Sequence, residues 1–175
     1  ILVYLVMLVI ALFIGLQIIE PSLEKLDLVS NVERYGFATV TIIAGILINV
    51  ILFEVGHVLG AIIGGYSVIS VNIFGFAYYK TKTGWKFGLR RFEGLTGETK
   101  IIAKKEKTKP RLFLFGPTIM VLIEFAAAIT IFLLTAENVA IHHQALIVAG
   151  VGAMLLVYNI MPFKLERPWW SAIPT

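Results

Sequence analysis

An acid and a histidine stand inside an apolar run long enough to cross a bilayer: Ile51-Leu52-Phe53-Glu54-Val55-Gly56-His57-Val58-Leu59-Gly60-Ala61. An ionisable side chain at membrane depth costs roughly 2.5–3.5 kcal/mol on insertion scales, so an intramembrane acid marks a functional site by default. Glu54 and His57 are three residues apart, which on a helix places them on one face a turn from each other. They can act on one centre. The plain structural alternative is a buried Glu and His that pair only with each other.

The rest of the chain agrees with a membrane setting. Of 175 residues 58% are hydrophobic and the mean hydropathy is +0.89, beyond the range of ordinary soluble domains. Cysteine is absent, which excludes disulfides, thiolate metal sites and thiol nucleophiles. Any metal must use His and carboxylate. Between Phe76 and Arg111 lie eleven Lys or Arg against three Glu, whereas residues 20–36 carry two basic and four acidic residues. A basic run can signal nucleic acid, but between apolar spans the positive-inside rule is the better account. It places 76–111 in the cytoplasm, with no nucleic-acid partner.

In chain order, the opening run at 1–19 reads as a first span rather than a signal peptide, having neither a basic n-region nor a cleavage site. A polar linker leads to a second span at 37–64, in which Gly56, Gly60 and Gly64 form a small-xxx-small stripe for close helix packing. From Tyr66 the period changes to two. Residues 66–92 are read as a β-hairpin of strands 68–76 and 85–92 around the turn Thr81-Lys82-Thr83-Gly84. Residues 100–111 read as a charged linker whose basic side chains suit anionic lipid headgroups. A third span, 112–135, contains Gly116-Pro117 and a second acid, Glu124, expected to face a cavity or to pair with His57. Glu137, His142 and His143 fall in an external loop, where a solvated turn is a stronger reading than a metal site. A fourth span, 144–160, ends in Asn159-Ile160-Met161-Pro162. The whole is expected to be one domain over 1–175: an α-helical membrane protein of about four transmembrane helices, with a membrane-surface β-hairpin between the second and third.

The spacing around Glu54 is what remains of His-Glu-x-x-His, in which two histidines at i and i+4 bind zinc and the glutamate activates a water. Position 53 is Phe, which has no lone pair. The run Glu-x-Gly-His-x-x-Gly-Ala, the Gly116-Pro117 pair opening the third span and the Asn159-x-x-Pro162 end of the fourth together resemble the site-2 protease family of intramembrane zinc metalloproteases. The resemblance covers about residues 37–162. It implies Glu54 as general base, His57 as one zinc ligand, Phe53 at a lost ligand position and an aspartate ligand expected beyond Thr175. Glu166, the acid of the tail, sits between Lys164 and Arg167 and reads more plainly as a solvated interface residue than as a substitute ligand. Phe fills an imidazole's space and removes only its chemistry, so the implied state is an inactive variant of a working enzyme or a natural pseudoprotease. Zinc is implied for the active form, and this chain is expected to hold it weakly or not at all.

The implied substrates are single-span membrane proteins or signal-peptide-like segments, with membrane lipid as the other partner. The implied setting is a bacterial cytoplasmic membrane, with the site toward the cytoplasmic side. Two other classes compete: a pseudoprotease that only holds a membrane peptide, and a small ion or solute transporter using Glu54, Glu124 and His57.

Overall fold

The computed structural model describes residues 30–91, 97–104 and 108–160, together with positions 9, 13, 15, 21, 24–26 and 28. The expected span at 1–19 and Pro162 therefore fall largely or wholly outside the described residues. Helix α1, Asn31–Ile63, begins in a capping box: the Ser30 hydroxyl accepts from the Glu33 N–H at 3.3 Å while the Ser30 N–H donates to the Glu33 carboxylate at 3.0 Å. This satisfies two donors that a helix start leaves open. The cap starts the helix six residues before the expected span. At 1.5 Å per residue its 33 residues reach about 50 Å, well beyond a hydrocarbon core of about 30 Å.

Helices α2, Pro110–Leu134, and α3, Val139–Ile160, complete a three-helix bundle. All three are long and apolar enough to cross a membrane. The glycine stripe explains how α1 and α2 approach. A Cβ on Gly56 would lie 2.6 Å from the Pro117 Cα, one on Gly60 would strike the Leu112 carbonyl oxygen, and one on Gly116 would strike the Gly56 carbonyl oxygen. The two backbones touch. Helix α3 runs parallel to α1, held by the Asn49 side chain donating to the Val148 carbonyl at 3.1 Å and the Gln144 side chain donating to the Thr41 carbonyl at 3.2 Å. Outward-facing residues such as Val40, Ile62, Ile123 and Leu134 are more than half exposed, an exterior suited to acyl chains rather than water.

The expected architecture of four helices and one hairpin is corrected here. The described residues contain three spanning-length helices and a four-stranded antiparallel sheet in the order β3-β2-β1-β4, with β1 Tyr66–Ile73, β2 Phe76–Thr81, β3 Gly84–Leu89 and β4 Gly97–Ala103. The expected strands at 68–76 and 85–92 do not pair with each other. Strand β2 lies between β1 and β3. The reason is a two-residue turn at Phe74 and Gly75, both at positive φ (51° and 90°), inside what alternation alone reads as one strand. Asn72 secures it: its side-chain oxygen accepts from the Gly75 N–H at 2.9 Å, and its amide donates to the Arg90 carbonyl at 3.0 Å. The turn at Thr81–Gly84 stands where alternation predicts it and joins β2 to β3. Residues read as a charged linker instead supply much of β4, which crosses back to pair with β1 from Tyr66↔Ala103 to Ile73↔Gly97.

The sheet is fixed to the end of α1. Gly65 accepts from the Lys104 N–H at 3.1 Å and Gly64 from the Lys109 N–H at 2.8 Å, so the exit of β4 and the approach to α2 are both tied to the helix terminus. On one sheet face Phe76 stacks with Phe87 and Tyr78 with Trp85, at ring separations of 6.2 and 4.8 Å. This face continues onto Leu47 and Ile51 of α1.

Candidate functional site

Helix α1 delivers Phe53, Glu54 and His57 to the level where α2 begins and the sheet attaches. Phe53 and His57, four residues apart, lie on one helix face with ring centroids 5.2 Å apart, edge to face. The other side of the imidazole meets Phe113 of α2 at 4.8 Å. The His57 Nδ1 is buried without a hydrogen-bond partner. Glu54 is buried at 3% exposure. It is not paired with His57; its partner is on the sheet, where the Thr99 hydroxyl donates to its carboxylate at 2.5 Å.

Strand β4 lies directly over that carboxylate. A Cβ on Gly97 would stand 2.6 Å from the Glu54 Oε1, so any side chain at position 97 displaces either the strand or the acid. Sequence reasoning missed both Gly97 and Thr99. The β-branched and aliphatic run Thr99, Ile101, Ile102 was the available signal, but lysines on either side make it look like a linker.

Gly116 and Pro117 pack against Gly56, one turn from Phe53 and on the helix that carries Phe113. The end of α3 reaches the same level, with the Asn159 amide donating to the Thr118 hydroxyl at 2.6 Å. Five of the residues singled out on the sequence, Glu54, His57, Gly116, Pro117 and Asn159, thus converge with Phe53 where the three helices and the sheet meet.

Glu124 is elsewhere. It does not pair with His57; both of its carboxyl oxygens are buried without a hydrogen-bond partner, and the residue lines a cleft formed by Ile48, Leu52, Gln144 and other side chains of the three helices. The expected external loop at His142 and His143 is also corrected. Asn138 caps α3 by accepting from the Ile141 N–H at 3.2 Å, so the helix starts at Val139 and takes in both histidines. His143 is fully buried, 5.5 Å from Phe37 and 3.5 Å from the Thr41 hydroxyl. His142 stacks on Phe132 at 3.9 Å.

A catalytic zinc takes about three protein ligands and leaves one position open for water. Here the chain offers one imidazole, His57, beside the phenyl ring of Phe53, while Glu54 is engaged by Thr99. Those residues do not fit the ion. Among the described residues no group of three His, Cys, Asp or Glu side chains is placed to hold a metal. No protein-family model, curated protein or solved structure matches the chain.

Proposed function

We propose that this chain is the membrane-embedded scaffold of an intramembrane zinc metalloprotease of the site-2 type, in a form that holds membrane peptides without cutting them because Phe53 stands at a ligand position. The observation that carries the reading is the ring pair at positions 53 and 57: two planar side chains on one helix face, 5.2 Å apart, beside a buried glutamate. Replacing the phenyl by imidazole supplies the missing first histidine of His-Glu-x-x-His, at i and i+4 on one helix face. Convergence of Gly116, Pro117 and Asn159 on the same level adds independent support.

The proposed substrates are single-span or signal-peptide-like segments in a bacterial cytoplasmic membrane, with the basic sheet on the cytoplasmic side. The sheet gives such a segment a place to unwind. Among the described residues strand β4 pairs with β1 along one edge only while its Gly97 and Thr99 lie against Glu54, and an extended peptide added to its other edge gains main-chain hydrogen bonds. The separation of Glu124 from Glu54 and His57 argues against the transporter reading, which needs the three together.

The test is Phe53→His in a chain carried past Thr175 to include the expected aspartate. That protein is expected to bind one zinc and cleave a membrane peptide. In the same background Glu54→Gln keeps the metal and lowers turnover by about 10²–10⁴-fold, because an amide retains the shape and cannot take the proton. A restored protein without zinc, or undiminished cleavage by Glu54→Gln, rules out the protease.

A further inference from the structure

Strands β1 and β4 seat the sheet on α1, and because the strand order is β3-β2-β1-β4, strands β2 and β3 extend past the helix. Residues directly opposite each other in an antiparallel pair share a face. The pairs Val71↔Tyr78, Ile73↔Phe76, Tyr78↔Phe87 and Lys80↔Trp85 therefore occupy one face, the one that meets Leu47 and Ile51 of α1. Its overhanging part is open: Phe76, Tyr78, Trp85 and Phe87 are 56%, 51%, 41% and 70% exposed. Between this face and the helix run two hollows of about 540 and 530 Å³ that share Val71 and Tyr78, and so form one trough.

The trough changes character along its length. At the level of Ile62 and Gly65, where α1 stops, its lining includes Ser67, Trp85 and the two cations Lys80 and Lys104. Beside Leu47 and Ile51 it is lined instead by Ile73, Phe76 and Phe87. Ile62 lies fifteen residues along α1 from Leu47, about 22 Å at 1.5 Å per residue, against about 15 Å for the hydrocarbon of one leaflet. No acid among the described residues lines the trough or forms an ion pair with either lysine. Two ammonium groups beside a tryptophan, at the mouth of an apolar slot along a helix that suits a bilayer, match an anion joined to a hydrocarbon chain. The trough is a face rather than an edge, so it offers an extended peptide no main-chain hydrogen bonds.

We propose that this trough binds one anionic phospholipid, its phosphate held by Lys80 and Lys104 and one acyl chain laid along α1 toward Phe76 and Phe87. The two lysines select a lipid of net negative charge over a zwitterionic one, whose own ammonium group offsets them. The site rests on the membrane setting of the helices and not on the protease reading.

The experiment uses the full chain with Trp169→Phe and Trp170→Phe, which leaves Trp85 as its tryptophan. It is placed in phosphatidylcholine nanodiscs containing a small fraction of phosphatidylglycerol or phosphatidylcholine brominated on the acyl chains. Quenching of Trp85 is expected to show phosphatidylglycerol bound about five- to thirtyfold tighter, and bromine near the headgroup is expected to quench more than bromine near the chain end. Lys80→Gln with Lys104→Gln abolishes the preference. Lys86→Gln with Lys100→Gln, which removes the same charge from the opposite face, preserves it. Equal quenching by the two lipids, a preference that survives Lys80→Gln with Lys104→Gln, or an equal loss in both double variants overturns the proposal, the last by showing diffuse surface attraction. So does stronger quenching from the chain end, or displacement of the lipid by soluble glycerol phosphate, which carries no chain. A photo-crosslinker at position 87 is expected to capture lipid; capture of a second copy, or of residues 1–19 of the same chain, in its place overturns the site.

Discussion

Two glutamates lie within helices long and apolar enough to cross a membrane, similarly hidden at 3% and 6% exposure, and the fold treats them in opposite ways. Glu54 is gripped from outside its own helix: Thr99 donates to it and the Gly97 backbone leans on it. Glu124 has aliphatic neighbours and no donor at either oxygen. A buried acid with a fixed partner is held in one orientation, as a group acting on a defined centre must be. A buried acid without one stores an unmet interaction. Burial alone does not distinguish the two roles; the source of the hydrogen bonds does.

The contrast depends first on the close contact of α1 with α2 that fixes where both acids sit. At Gly60 and Gly116 the α1 and α2 backbones are in contact, so a side chain there pushes the helices apart rather than repacking neighbours. Gly116→Val is expected to cost about 3 kcal/mol or more, measured by unfolding in mixed micelles, and to disturb both acids together. A loss under about 1 kcal/mol would show that this contact does not fix their positions.

Next in size is the grip on Glu54. Thr99→Val is isosteric and removes the donor, leaving a buried carboxylate unpaired at an expected cost of about 1–3 kcal/mol, while Thr99→Ser recovers most of it. Equal stability of the Val and Ser proteins would mean that β4 merely covers Glu54. The smallest effect has the opposite sign. Glu124→Leu replaces an unsatisfied acid by an apolar group of similar volume and is expected to raise stability by about 1 kcal/mol, whereas Glu54→Leu lowers it. If both substitutions shift the melting temperature in the same direction, the two acids are not the opposites the hydrogen bonds make them.

How far the sequence could be read divides along the same line. The apolar runs, the glycine stripe and the shared face of Phe53 and His57 were legible because each depends on a period within a single helix, set by backbone geometry that every neighbour obeys. The sheet was legible only in part. Alternation marks 66–92 as extended, but it carries on through Phe74-Gly75, where two positive φ values reverse the chain and Asn72 holds the reversal. Pairing of β1 with β4, from Ile73↔Gly97 to Tyr66↔Ala103, joins residues far apart in the chain across an intervening hairpin, and nothing local to Thr99 announces that it meets Glu54. The histidines at 142 and 143 were misread for a related reason: His143 is buried by Thr41 and Phe37 on a distant stretch of α1, and His142 stacks on Phe132 of α2. The sequence by itself determined which segments suit a bilayer and which side chains share a helix face, since those follow from residue type and period. Only the tertiary structure decided which buried acid received a partner, because a hydrogen bond requires two groups from separate elements within about 3 Å, and that distance is set by how the elements pack.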